Sequence, residues 1–327
     1  MDKTSGLRIG LTLWGFDVGV RAAVDLAVRA EEHGFESVFM VEGVFSNDAL
    51  TTVAGIAART SRITIGTGIA NVYLRHPVML GIAAAAIDEM SAGRLVLGLG
   101  PNNEAMIVRA GLSWRDPRQS LRETTETVRG VFAGKGLPGL RPVQPASRTI
   151  PVHWAAMALE TCEAAGRHAD GLMLYLCAPE RYRRAVDRMR RGALASQRDP
   201  ADVSVSVLVP VFVHDDLTVA RQAAREFLVH YAGMPQYAKA FDASGFAAEM
   251  TGVRGALAAG DRDTAMAALS DRLLDDVLLV GPPARCRDRL AVLREAGVTW
   301  ALLGPQRVGA RSLAEQAEIV VRELAPR

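Results

Sequence analysis

The chain has 327 residues, 49% of them apolar, with 38 basic and 36 acidic side chains and a net charge of +2. The interleaved charges argue against a nucleic-acid surface, which needs basic residues gathered on one face. No apolar run reaches the roughly 18 residues of a membrane span, Met1–Gly6 has no secretory apolar core, and Cys162, Cys177 and Cys286 lack metal or redox spacing. The expected address is the cytosol, with reduced thiols.

In chain order, short β-rich runs alternate with Ala-rich helical segments. Leu7–Leu13 reads as a strand, followed by a helix over Val20–His33 that ends at Gly34, a C-cap position. Ser37–Val41 is a strand, and Asn47–Thr60 is a helix with Asn or Asp at its start. Arg62–Gly68 and Pro77–Met90 form the third strand–helix pair. Leu95–Leu99 and Asp116–Phe132 form the fourth, with Pro117 near N1 where its missing N–H costs nothing. After a Gly- and Pro-rich loop (Gly134–Pro145), the pattern resumes with strands Ile150–Ala155 and Gly171–Tyr175 and helices Leu159–His168 and Pro179–Arg191. Val203–Val213 is a long strand, Leu217–Leu274 is almost wholly helical, Val298–Leu303 is the last strand and Ser312–Leu324 the last helix.

Eight strands separated by helices predict a single (β/α)₈ TIM barrel over 1–327, with a helical insertion between strands seven and eight. A doubly wound open sheet is the competing architecture. Barrel enzymes carry their chemistry on the loops at the C-terminal strand ends. Thr67, Gly68, Ile69 and Asn71 lie in such a loop, within "GTGIANVYLRHP", where strand character gives way to glycines. The segment Gly98-Leu99-Gly100-Pro101-Asn102-Asn103 begins like a dinucleotide fingerprint. It lacks the third glycine and the acidic residue about 20 positions on, so a Rossmann reading fails.

Four ordered segments, "GTGIANVYLRHP", "DEMSAGRLVLGLGPNNEAMIVRAGLSW", "IPVHWAAMALETCEAAGRHADGLML" and "LLVGPPARCRDRLAVLREAGVTWALL", resemble the bacterial luciferase-like superfamily over nearly the whole chain. "LGLGP" followed by "AGLSW" resembles the branch that uses the deazaflavin coenzyme F-420, such as the methylenetetrahydromethanopterin reductases. The resemblance implies a bulge after strand three with a non-proline cis peptide at Gly68–Ile69 that backs the coenzyme ring. Thr67 and Asn71 would hydrogen-bond the ring's polar edge, with simple turn stabilisation as the plainer reading. Gly100 would allow close backbone approach, and Asn102 or Asn103 would meet the ring or its ribityl chain, unless Asn merely caps the next helix. Ala156 and Met157, at a helix start with free N–H groups, would lie along the coenzyme tail.

Relatives usually carry Asp-His where this chain has Glu42-Gly43, so a carboxylate survives without the imidazole. Glu42 is a candidate for coenzyme binding or proton relay. The reductases place a glutamate at the position of Thr12; a hydroxyl cannot replace that charge, which argues for another substrate, with Trp14 and Phe16 offering an apolar wall. Arg181, Arg184, Arg188 and Arg191 share one helix face, a solvated outer face first and a partner for an acidic tail second. His76, His153 and His168 read as structural. The expected activity is hydride transfer between coenzyme F-420 and a small organic substrate, without metal, in a homodimer whose insertion covers the substrate with Tyr231, Tyr237 and Phe241. An FMN-dependent monooxygenase and a flavin-binding barrel without turnover are the alternatives.

Overall fold

The computed structural model describes residues 6–14, 18–135 and 145–326. Phe16 and most of the Gly134–Pro145 loop lie outside them. Ten strands form one parallel sheet: β1 Arg8–Trp14, β2 Ser37–Val41, β3 Thr64–Thr67, β4 Ala70–Asn71, β5 Leu95–Gly100, β6 Val152–Ala155, β7 Gly171–Tyr175, β8 Ser204–Val213, β9 Leu279–Gly281 and β10 Trp300–Pro305. The order β10-β1-β2-β3-β5-β6-β7-β8 closes on itself, because β10 pairs with both β1 and β8. This is the eight-stranded TIM barrel that the alternation predicts, and the open sheet is excluded.

Alternation along the strands sorts side chains into two cores. Leu11, Leu13, Val38, Met40, Leu97 and Leu172 point outward to the helices. Phe39, Val96, Met173, Leu208, Trp300 and Leu302 fill the barrel interior. Both sets are apolar because a parallel sheet is covered on both faces, which is why these strands read as unbroken apolar runs.

The insertion lies where expected, between the seventh and eighth barrel strands, as helices Leu217–Ala232, Pro235–Phe241, Ala247–Ala258, Arg262–Ala267 and Asp271–Val277. It has its own core of Leu228, Phe241, Phe246, Met250, Val253 and Leu274. Several elements were not anticipated. Helix Glu104–Arg109 fills the loop after β5, β4 forms after β3, β9 pairs alongside the end of β8, and helix Pro283–Glu295 follows it. The last barrel strand starts at Trp300 rather than Val298. No helix among the described residues is long and apolar enough to cross a membrane.

Candidate active site

The C-terminal end of the barrel is built on β3 and its bulge. β3 pairs with β5 at Ile65 and Gly66, and then the chain leaves the ladder and re-enters it as β4, with Ala70 and Asn71 beside Leu99 and Gly100. Between the two lies Gly68–Ile69, and that peptide is cis, as the resemblance implied. Backbone bonds tie the bulge to β2: the Gly68 amide donates to the Met40 carbonyl (2.8 Å) and the Glu42 amide to the Ile69 carbonyl (3.0 Å). A Cβ on Gly98 would lie 2.0 Å from the Thr67 carbonyl oxygen, so only glycine lets β5 run this close beneath the bulge.

Glu42 closes the arrangement. Its side chain is 3% exposed; one oxygen accepts the Asn71 amide (2.8 Å) and the other pairs with Arg75. Arg75 also pairs with Asp48, which caps helix Ala49–Arg59 by accepting the Thr51 amide. Burial works against ionisation of Asp48, but the Thr51 amide and Arg75 outweigh it and hold its carboxyl below the usual range. With both oxygens engaged by the protein, Glu42 holds the bulge. Sequence reasoning missed Arg75; its two carboxylate partners lie 33 and 27 positions away, beyond any local pattern.

The other candidates fall into groups. Ile69 is partly exposed above the interior core, together with Val41, Ala155 and Tyr175, so the floor of the mouth is largely apolar. Asn71 is fully buried; its Oδ1 accepts the Tyr73 amide (2.8 Å), and its Nδ2 has no partner among the described residues. Thr67 is engaged within the barrel. Its hydroxyl donates to the Gly98 carbonyl (2.7 Å) and ties β3 to β5. Gly100 gives its space to the protein itself, since a Cβ there would meet Ile69 Cγ1 at 2.7 Å. Asn102, at a left-handed φ of 61°, reaches the Glu42 carbonyl (3.4 Å), while Asn103 caps helix Glu104–Arg109.

The expected free amide at Ala156 is taken: it donates to the Met173 carbonyl (3.1 Å), because β6 continues its ladder one residue further. Met157 is partly exposed, and its carbonyl accepts from Arg181 (2.8 Å). Helix Leu159–His168 follows with no side-chain cap. Arg184 and Arg188 pair with Glu180 and Glu163, the solvated outer face that the pattern favoured. Thr12 is fully buried, its hydroxyl without a partner among the described residues, and it does not open to the mouth.

Across the mouth, Trp14 meets Tyr175 with ring centroids 5.7 Å apart, and Tyr231 and Tyr237 of the insertion meet Tyr175 edge-on at 5.6 and 6.0 Å. Met234 Sδ touches Asn103 Nδ2 (3.9 Å), so the insertion also reaches the β5 loop. Phe241 does not join this wall, being fully buried in the insertion's own core. Burial pushes the Tyr175, Tyr231 and Tyr237 hydroxyls above their ordinary range, which keeps them protonated. His76 caps the helix after the bulge through the Val78 amide (3.3 Å). His153 is sealed lower in the barrel against Ser204 (3.2 Å), and burial lowers it to about 4.

The model of the luciferase-like monooxygenase family matches residues 9–299. A 5,10-methylenetetrahydromethanopterin reductase of Methanolobus tindarius is 28% identical over 290 residues, 85% of this chain and 88% of the relative. The structure of the coenzyme F-420-dependent tetrahydromethanopterin reductase of Methanopyrus kandleri superposes with a TM-score of 0.83, at 22% identity and covering 98% of each chain. An F-420-dependent secondary alcohol dehydrogenase, in complex with an F-420–acetone adduct, superposes with a TM-score of 0.77 at 18% identity, covering 97% of this chain and 98% of that one. A family model spanning most of the barrel, on a chain folded in the same way, identifies this protein as a member of the luciferase-like monooxygenase family.

Proposed function

We propose that the protein is an oxidoreductase that moves a hydride between coenzyme F-420 and a small organic substrate. The observation that carries the reading is the anchored bulge of β3. It presents an apolar shelf at Ile69, gripped on both sides by Glu42, and the buried Asn71 Nδ2 has no partner among the described residues. A planar ring needs such a face and an in-plane donor, so the residues present fit the coenzyme. The full-length relationship to reductases that use F-420 favours this coenzyme over FMN.

In this reading Ile69 and Ala155 support the ring, and Asn71 and Asn102 offer side-chain amides to its polar edge. Met157 and the uncapped start of helix Leu159–His168 flank the tail, where backbone N–H groups suit phosphate. The bound deazaflavin supplies the hydride carrier. Glu42 and Arg75 keep the shelf at a fixed height, because small displacements between reacting atoms are costly in rate. The aromatic wall of Trp14, Tyr175, Tyr231 and Tyr237 keeps water from the substrate side.

Titrating the purified protein with oxidised F-420 and with FMN, following coenzyme fluorescence, tests the proposal. Saturable F-420 binding at least about tenfold tighter than FMN binding is expected. FMN binding with negligible F-420 binding would replace it with the monooxygenase reading.

A further inference from the structure

The floor and wall of the mouth come from different parts of the chain. Val41, Ile69 and Ala155 of the barrel provide a hydrocarbon floor. Tyr231 and Tyr237, 5.0 Å apart, descend from the insertion onto Tyr175, while Trp14 approaches the same ring from β1. All four aromatics are partly exposed, and the three tyrosines also pack against the insertion's core. The Glu42 carboxylate beside the floor is paired with Arg75 and accepts the Asn71 amide. The Tyr175 hydroxyl is buried beside that of Tyr231 without completing a hydrogen bond to it.

Resting on the hydride-transfer reading of this site, we infer that its substrate is an uncharged ring compound, aromatic or alicyclic, bearing one carbonyl or hydroxyl oxygen. Edge-to-face tyrosines accept a flat or puckered ring of similar thickness by dispersion and quadrupole contacts. The Tyr231 and Tyr237 O–H groups can meet a single oxygen. A carboxylate or ammonium on the ligand would lose its hydration against these aromatic rings. A short acyclic ketone would leave most of the wall untouched.

Calorimetric titration of the protein, with and without saturating oxidised F-420, should use benzyl alcohol, cyclohexanone, 2-butanone, benzoate and benzylammonium as probes. Benzyl alcohol and cyclohexanone are expected to bind at least about tenfold tighter than the two ions and the acyclic ketone. Tyr237→Leu, which keeps bulk but removes the ring, should lose that preference, while Tyr237→Phe should retain most of it. Equal binding of neutral and charged rings, or a preference that survives Tyr237→Leu, would overturn the inference. A failure of F-420 itself to bind would instead strike the coenzyme reading, and the ring preference would still be read from the protein alone.

Discussion

Removing Arg75 should injure the protein more than removing Arg75 and the charge of Glu42 together. In Arg75→Met the carboxylate of Glu42, with its side chain 3% exposed, keeps only the Asn71 amide, and Asp48 also loses its cation. Breaking a buried pair from one side costs about 3–5 kcal/mol. Arg75 is itself 23% exposed, so water can partly replace it, and about 2–4 kcal/mol is the fitting range here. At roughly 2 °C per kcal/mol for a chain of this size, the apparent unfolding temperature should fall by about 4–8 °C. The double variant Glu42→Gln/Arg75→Met has no buried charge left over and should recover part of that loss. Thermal melts of wild type, both single variants and the double variant measure the coupling directly. Little change in 0.5 M NaCl is expected for a pair this sheltered, compared with a surface pair. Strictly additive losses, or an Arg75→Met melt within about 1 °C of wild type, would refute the clamp.

His153 gives a pH prediction. Its unfolded imidazole takes a proton below about 6.5, whereas the folded one stays neutral to about 4, so acidification through that window favours the unfolded chain. Denaturant titrations should show about 3 kcal/mol lost between these limits, flattened in His153→Gln; an unchanged slope in the variant would count against the assignment. Asn71→Ala should weaken coenzyme binding by about tenfold, with about 1 kcal/mol of stability lost through the Tyr73 amide; unaltered coenzyme affinity would remove Asn71 from the site. Gly98→Ala forces a methyl onto the Thr67 carbonyl and should lower the yield of folded protein severely, and a normal melt would show that β5 can move away.

Much of the barrel was legible because both faces of a parallel strand are covered, so β1, β2, β7 and β8 stand out as apolar runs bounded by Gly, Asn and Asp. The bulge was legible through its glycines and through family resemblance together. What stayed hidden was the destination of each polar side chain. Thr67 was read toward a ring edge, yet its hydroxyl ends on the Gly98 carbonyl, 31 positions away. Gly100 was read as space for a coenzyme, and the protein fills that space with Ile69. Thr12 is a site candidate from the sequence, but nothing in its local sequence says that its side chain is fully buried. Phe241 could have been placed, since Phe241, Phe246, Met250 and Val253 fall on the buried side of successive helical turns. The three residues of β9 carry too little pattern to be seen at all.

The central claim is that the bulge after β3 is the bed of a deazaflavin ring. A crystal structure of the protein grown with oxidised F-420 tests it most directly. The account predicts the ring in van der Waals contact with Ile69, an Asn71 or Asn102 amide at its polar edge, and the Trp14–Tyr175–Tyr237 wall across the gap. A ring bound elsewhere on the barrel, with Ile69 and Asn71 untouched, would contradict it.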